Sequence, residues 1–122
     1  MSKVLVIDDD GGIRSALTDL LRLEGYQVEE AANGQEALDI LRREDGWVLL
    51  LDLAMPHMNG QQVLKALEEN LDLLKANQII LMSAGWRLDR ARQIPQSDIV
   101  SAALEKPFAI EQALTLVKHL SG

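Results

Sequence analysis

The amino-acid sequence predicts an α/β protein in which helices cover both faces of a parallel β-sheet. Five short apolar runs alternate along the chain with segments whose apolar residues recur at helical spacing. The strongest of these runs are continuous rather than alternating, which is typical of strands buried on both faces. Right-handed crossovers then place the intervening helices on both sides of the sheet, so a three-layer arrangement follows.

Length and composition indicate one domain with its own core, spanning residues 1–122. The chain has 122 residues, of which 48% are hydrophobic and 25% charged. Its formal net charge of −7 argues against nucleic acid and membrane surfaces as partners. The absence of cysteine excludes disulfides and thiol catalysis. Because the apolar runs are too short for a signal peptide or a membrane span, we expect a cytoplasmic protein.

The first strand and the first helix are predicted at the start of the chain. Residues 4–7 form a continuous β-rich run that ends at the aspartates following Ile7. Helical spacing begins at Gly11, and Gly25 stands where a helix C-terminus is expected. The apolar positions of this helix are Ile13, Ala16, Leu17, Leu20 and Leu21.

A second strand and helix follow. Residues 26–32 are a weaker strand, which we place at an edge of the sheet. Asn33 with Glu36 three positions later predicts a helix start, and the helix should run out near residues 45–46. Its apolar face comprises Ala37, Leu38, Ile40 and Leu41.

Residues 47–51 are the strongest buried-strand signal, and they stop at Asp52. A loop containing Pro56 and Gly60 comes next. One continuous third helix is then predicted from the spacing of Val63, Leu64, Leu67, Leu71 and Leu74.

The last third of the chain predicts two more strands and two more helices. Residues 78–82 form the fourth strand, which ends at Ser83, and residues 99–104 form the fifth. Between them, residues 86–93 are predicted to be a polar, arginine-rich fourth helix. The last helix is predicted from Ile110, Ala113, Leu114, Val117 and Leu120.

Chemically reactive side chains stand at the predicted ends of four strands. Ligands of parallel α/β sheets bind beyond the carboxyl ends of the strands, so these side chains should meet at one edge. Carboxylates brought together repel one another unless a hard cation such as Mg²⁺ neutralises them. Taken alone, the first aspartates could equally complement the N-terminus of the first helix. The set comprises Asp8, Asp9, Asp10, Asp52, Ser83 and Lys106.

The stretch Asp-Leu-Ala-Met-Pro-His-Met-Asn-Gly at residues 52–60 is a specific motif, and it stands in register with further motifs along the chain. These segments are residues 6–10, 13–14, 32–38, 50–60, 82–84 and 106–108. In these segments, and over essentially its whole length, the chain resembles the receiver domains of response regulators. The resemblance implies a flavodoxin-like three-layer sandwich whose five parallel strands lie in the order 2-1-3-4-5, with five helices.

The resemblance implies an Mg²⁺ site at the strand ends. Asp9 matches the direct metal ligand, and Asp8 matches the acidic residue that holds a metal-bound water. Asp52 and the backbone carbonyl of Ala54 match the remaining protein ligands.

The resemblance also implies phosphoryl chemistry. Asp52 matches the phosphoacceptor, Ser83 the hydroxyl residue that binds the phosphoryl group, and Lys106 the lysine that pairs with it. The implied phosphoryl donor is a sensor histidine kinase or a histidine phosphotransfer protein, and the implied output is a conformational binding switch in a monomer or weak dimer. Catalysis would be limited to the chain's own phosphorylation and dephosphorylation.

Three positions depart from the family pattern. Ala103 stands where many members carry an aromatic that turns inward on phosphorylation, so we expect a weaker response at that face. Ala54 stands where many members carry a polar or longer side chain that affects water access. The basic stretch at residues 85–92, with Trp86, is either a solvated helix face or a docking patch for an acidic partner.

Other functions stay open at this stage. The chain could be a receiver-like interaction module that works without phosphorylation, which Ala103 mildly favours. A phosphatase acting through an aspartyl-phosphate is disfavoured because Ala54 occupies the place of the expected acid. A flavodoxin is disfavoured because aspartates replace the phosphate-binding loop.

Overall fold

A computed structural model describes residues 3–53, 55, 58–84 and 99–121 of the chain. None of the helices within these ranges is long and apolar enough to cross a membrane. The strands are β1 (Lys3–Ile7), β2 (Gln27–Ala31), β3 (Trp47–Asp52), β4 (Gln78–Ala84) and β5 (Ala102–Lys106). The helices are α1 (Gly11–Leu23), α2 (Gly34–Arg43), α3 (Gly60–Glu68), α4 (Leu71–Ala76) and α5 (Ile110–Ser121).

The five strands form one parallel sheet in the order β2-β1-β3-β4-β5. This confirms the predicted strand order and the edge position of β2. The central strand β3 is buried along its whole length, as its uninterrupted apolar sequence predicts.

Two apolar cores lie on opposite faces of the sheet because side chains alternate along each strand. Leu5 and Ile7 of β1 point to the face covered by α2 and α3. Val4 and Val6 of the same strand point to the face covered by α1 and α5. The predicted three-layer sandwich is therefore confirmed.

The predicted ends of α1 and the predicted start of α2 agree with the observed caps, whereas α2 ends at Arg43, before the predicted residues 45–46. Asp10 accepts hydrogen bonds from the backbone N–H groups of the first turn of α1, and Gly25 just beyond that helix has a φ of 93°. Asn33 accepts from the Glu36 N–H, while the Glu36 carboxylate accepts from the Ala32 N–H at 2.8 Å.

The prediction of one continuous third helix was wrong. The segment divides into α3 and α4 because the chain leaves helical geometry at Asn70. The Asn70 side chain then accepts a hydrogen bond from the Leu73 N–H at 3.3 Å and starts a new helix.

Two strands differ from the prediction by two residues or more at an end, and the other three differ by one. The fourth strand continues past residue 82 to Ala84, and the fifth runs over Ala102–Lys106 rather than residues 99–104. Ile99 and Val100 instead pack, partly buried, against the core beneath α2 and α3. The predicted helix and basic patch at residues 85–93 lie outside the described residues.

Candidate phosphoacceptor and metal site

The carboxyl ends of β1, β3, β4 and β5 lie side by side because these strands are neighbours in one parallel sheet. Ile7 pairs with Leu51, so the next residues, Asp8 and Asp52, leave their strands at the same level. Asp52 in turn pairs with Met82, the residue before Ser83. The sheet thus brings the predicted strand-end residues to one edge.

The three consecutive aspartates have three different environments. Asp8 is fully buried, with 0% of its surface exposed, and its Oδ1 accepts a hydrogen bond from the Asp10 N–H at 2.9 Å. Asp9 is exposed. Asp10 caps α1 through its carboxylate, which accepts from the Gly12 N–H at 2.9 Å. Asp10 therefore complements the N-terminus of the first helix, which was the alternative role for the aspartates, while Asp8 and Asp9 face the site.

Asp8, Asp9 and Asp52 form an acidic pocket. One carboxylate oxygen from each of them lies within 4.8 Å of the others. Asp52 is only 5% exposed, so two of the three charges are held away from solvent. Clustered carboxylate oxygens are the donor set that Mg²⁺ prefers, and a bound cation would relieve their mutual repulsion.

Lys106 supplies a cation to this pocket from the end of β5. Its Nζ donates to Asp8 Oδ2 at 2.7 Å and lies 3.6 Å from Asp52 Oδ2. Burial alone would lower the pKa of Lys106. The hydrogen bond to Asp8 and the negative charge of Asp52 outweigh that effect, so the pKa is raised above its ordinary value of 10.5. The side chain is therefore an ammonium at neutral pH.

The loop after β3 is held closely against the site. The Gly60 N–H donates to the Leu53 carbonyl at 3.0 Å, and a Cβ at Gly60 would collide with the Asp52 carbonyl oxygen. Only glycine fits this first position of α3. The backbone that carries Asp52 is thus packed directly against a helix start.

Most of the predicted site residues come together. Asp8, Asp9, Asp52 and Lys106 form the pocket, and Ser83 is fully buried at the end of the neighbouring strand. Ala54, the predicted source of a carbonyl ligand, lies outside the described residues.

Sequence reasoning counted Arg14 among the positions that match the family but gave it no role, and in the structure Arg14 contacts the loop that carries the aspartates. Its Nη1 donates to the Asp8 carbonyl at 2.7 Å. A signal was present in the sequence, because a cation near the N-terminus of a helix opposes the helix dipole. A residue that opposes a local preference in this way often stands at a functional position.

A sequence model of the response regulator receiver domain matches residues 4–118, so the chain belongs to the receiver domain family of two-component response regulators. It is 35% identical over 119 residues to sporulation initiation phosphotransferase F of Bacillus subtilis (strain 168), covering 95% of this chain and 90% of that protein. It is 41% identical over 120 residues to the transcriptional regulatory protein CpxR of Escherichia coli (strain K12), covering 98% of this chain and 49% of CpxR. The chain thus spans about half the length of CpxR, and the same holds for the response regulator MprA.

Solved structures show the same fold. The response regulator protein TrrA from Thermotoga maritima, in complex with Mg²⁺-BeF, is 30% identical with a TM-score of 0.81, covering 98% of this chain and 99% of that one. A CheY-like receiver domain protein from Methanospirillum hungatei JF-1 is 26% identical with a TM-score of 0.86, covering 99% of this chain and 94% of that one. The flavodoxin-like fold of receivers is therefore confirmed.

Family membership indicates the chemical role of the acidic pocket. Receiver domains bind Mg²⁺ at such a pocket, and histidine kinases or phosphotransfer proteins phosphorylate them. The pocket formed by Asp8, Asp9 and Asp52 is of the type that holds a phosphoacceptor aspartate and Mg²⁺.

Proposed function

We propose that this chain, as a single receiver domain over residues 1–122, accepts a phosphoryl group on Asp52 and acts as a cytoplasmic binding switch. The observation that carries the proposal is the convergence of Asp8, Asp9 and Asp52 within 4.8 Å, beside the ammonium of Lys106. The donor is the phosphohistidine of a sensor histidine kinase or a histidine phosphotransfer protein.

The residues present fit an Mg²⁺ ion. Asp9 and Asp52 would hold it directly, Asp8 would hold a metal-bound water, and the Ala54 carbonyl would complete the protein ligands. Asp9 is exposed and therefore open to an ion arriving from solvent. When bound, the ion supplies positive charge that offsets the anionic donor and acceptor.

Asp52 acts as the nucleophile. A carboxylate oxygen forms a bond to phosphorus while the bond from phosphorus to the donor's imidazole nitrogen breaks. The imidazole leaves with that electron pair and takes up a proton. No general base is needed because the attacking oxygen carries no proton. The product is an aspartyl-phosphate bearing roughly two negative charges near neutral pH.

Lys106 and Ser83 would bind the transferred group. The ammonium of Lys106 lies 3.6 Å from the Asp52 carboxylate, close enough to bind a phosphoryl oxygen built on it. The Ser83 hydroxyl is buried at the neighbouring strand end, where it can donate to another phosphoryl oxygen. Because phosphoryl transfer has a loose transition state, such positioning and charge neutralisation supply most of the rate.

Intact mass spectrometry tests the proposal. Incubation with Mg²⁺ and a small acyl phosphate donor should add about 80 Da to the wild type and to Asp19→Asn, but not to Asp52→Asn. Asp19 is a suitable control because it is an exposed carboxylate on α1. A wild type that gains no mass would favour the module that works without phosphorylation. A gain that persists in Asp52→Asn would place the acceptor elsewhere.

A further inference from the structure

Arg14 stands near the start of a helix, where a positive charge does not favour the helix. It is the fourth residue of α1, which begins at Gly11, and the helix has no acidic residue in its first turn. The N-terminal end of a helix carries partial positive charge, so an anion there would stabilise it and a cation does not. Its place in the fold therefore calls for an explanation other than helix stability.

The guanidinium of Arg14 links three elements at the edge of the metal pocket. Its Nη1 donates to the backbone carbonyl of Asp8 at 2.7 Å. Its Nε lies 3.4 Å from Glu30 Oε1 on the edge strand β2. The side chain thus joins α1, the end of β1 and β2, and its planar fork suits two acceptors at once.

The contact to Asp8 completes a set of constraints on that residue. The Asp8 N–H donates to the Ala31 carbonyl at 3.1 Å, and its carboxylate binds the Asp10 N–H and Lys106. With Arg14 on the carbonyl, every polar group of Asp8 has a partner. The peptide bond that leads into Asp9 begins at that same carbonyl.

We propose that Arg14 is a positioning residue for the Mg²⁺ pocket, an inference that rests on the proposed function. Arg14 donates no ligand to the ion. It holds the Asp8 carbonyl and so sets the direction of the backbone that carries Asp9. Asp9 is exposed, so its carboxylate depends on that backbone for its place beside Asp52.

The positioning role and the charge of Arg14 should have opposite effects on Mg²⁺ affinity, so the two effects can be separated. A cation near the pocket repels Mg²⁺, so removing the charge would tighten Mg²⁺ binding if charge were the whole effect. Losing the contact to the Asp8 carbonyl would weaken it. Arg14→Lys retains the charge but cannot present the planar fork, so it isolates the positioning role.

The test is the dissociation constant for Mg²⁺, measured by titration calorimetry on the unphosphorylated protein. We expect Arg14→Lys to raise it about 10-fold, as changes beside metal ligands commonly do. Arg22→Lys is the matched control. Arg22 lies on the same helix and donates to the Val28 carbonyl of β2 at 3.1 Å, remote from the metal pocket. This control should leave Mg²⁺ binding within about twofold of the wild type.

Amide hydrogen exchange of Asp10 in the metal-free protein gives a second readout. Its N–H donates to the Asp8 carboxylate, so it should exchange faster in Arg14→Lys than in Arg22→Lys. Two results would overturn the inference: equal Mg²⁺ affinity in both variants, or tighter binding in Arg14→Gln with unchanged binding in Arg14→Lys. A wild type that binds no Mg²⁺ would overturn the proposed function together with this inference.

Discussion

Lys106 lies closer to Asp8 than to Asp52: its Nζ is 2.7 Å from the first carboxylate and 3.6 Å from the second. One ammonium thus bridges two buried carboxylates that lie at the ends of two different strands. Asp9 adds a third negative charge, so the pocket retains an excess of negative charge before any ion binds. Several measurable properties depend on this arrangement.

Replacing Lys106 with methionine should lower the free energy of unfolding by about 1–3 kcal/mol. Asp8 would then be a fully buried carboxylate without its cation, which is costly. Urea denaturation measures the change. Lys118→Met is the control, because the Lys118 pair with Glu24 is exposed, with N and O 3.5 Å apart, and such pairs contribute little. Equal losses in the two variants would contradict the prediction.

The contribution of Lys106 should also depend on pH. Its pKa in the folded protein lies above the ordinary value of 10.5, despite burial, because of its bond to Asp8 and the charge of Asp52. The stabilisation is therefore complete below about pH 10.5 and is lost as the pH rises through the folded pKa. The difference in unfolding free energy between wild type and Lys106→Met should stay constant from about pH 7 to 9 and narrow in more alkaline buffer. A difference that widens there would show the opposite shift.

Mg²⁺ should stabilise the folded protein. At ten times its dissociation constant, a ligand that binds only the folded state adds about 1.4 kcal/mol, which corresponds to roughly 5 °C in Tm. Chelation with EDTA should reverse the gain. Differential scanning calorimetry should show the effect in the wild type and in Asp19→Asn, and a much smaller one in Asp9→Asn. If Asp9→Asn responds like the wild type, the ion binds elsewhere.

Gly60→Ala should destabilise the protein by about 1–3 kcal/mol because the added Cβ would collide with backbone atoms at Asp52 and Leu53. Gly11→Ala is the matched control, since both glycines open a helix. At Gly11 the nearest atom to a new Cβ is 3.8 Å away, so alanine should stabilise the protein by about 0.4–1 kcal/mol. Thermal unfolding of the two variants measures the contrast, and shifts of the same sign would count against it.

Phosphorylation should change the environment of residues 99–104 only slightly. Ala103 lies exposed on the edge strand β5, and its methyl group is too small to fill an inward position. We expect backbone amide NMR shifts at residues 99–104 to stay close to those of the unphosphorylated protein. The shifts of Asp8 and Asp9 provide an internal reference that should move clearly.

The fold could be predicted largely because the apolar runs and the helix-capping residues of the sequence stand where the strands and the helix starts lie in the structure. The apolar run that became β3 has no competing interpretation, and the caps at Asp10 and Asn33 are readable as side-chain types. The break at Asn70 was hidden because apolar spacing continues through it, whereas the hydrogen bond that restarts the helix is a matter of geometry. Hydrophobic period alone does not report such a break.

The site could be predicted as a set, and the family resemblance supplied a role for Asp8, Asp9 and Asp52, but the environments of the side chains could not be predicted. Sequence order shows that three aspartates follow β1, yet only the structure shows that Asp8 is buried while Asp10 caps α1. Both ends of β5 were also misplaced, because apolar character alone does not show which residues pair in the sheet. Ile99 and Val100 are as apolar as a strand, but they pack against the core beneath α2 and α3, while the polar Glu105 and Lys106 continue the strand pairing.

The pocket joins residues that are synthesised far apart in time. Asp8 emerges from the ribosome 98 positions before Lys106, which is among the last residues that the pocket needs. A nascent chain that stops short of β5 therefore contains the acidic residues of the pocket but not their cation. Translation itself delays the point at which the domain can receive a signal, because a half-made chain has no finished pocket to offer a phosphate donor.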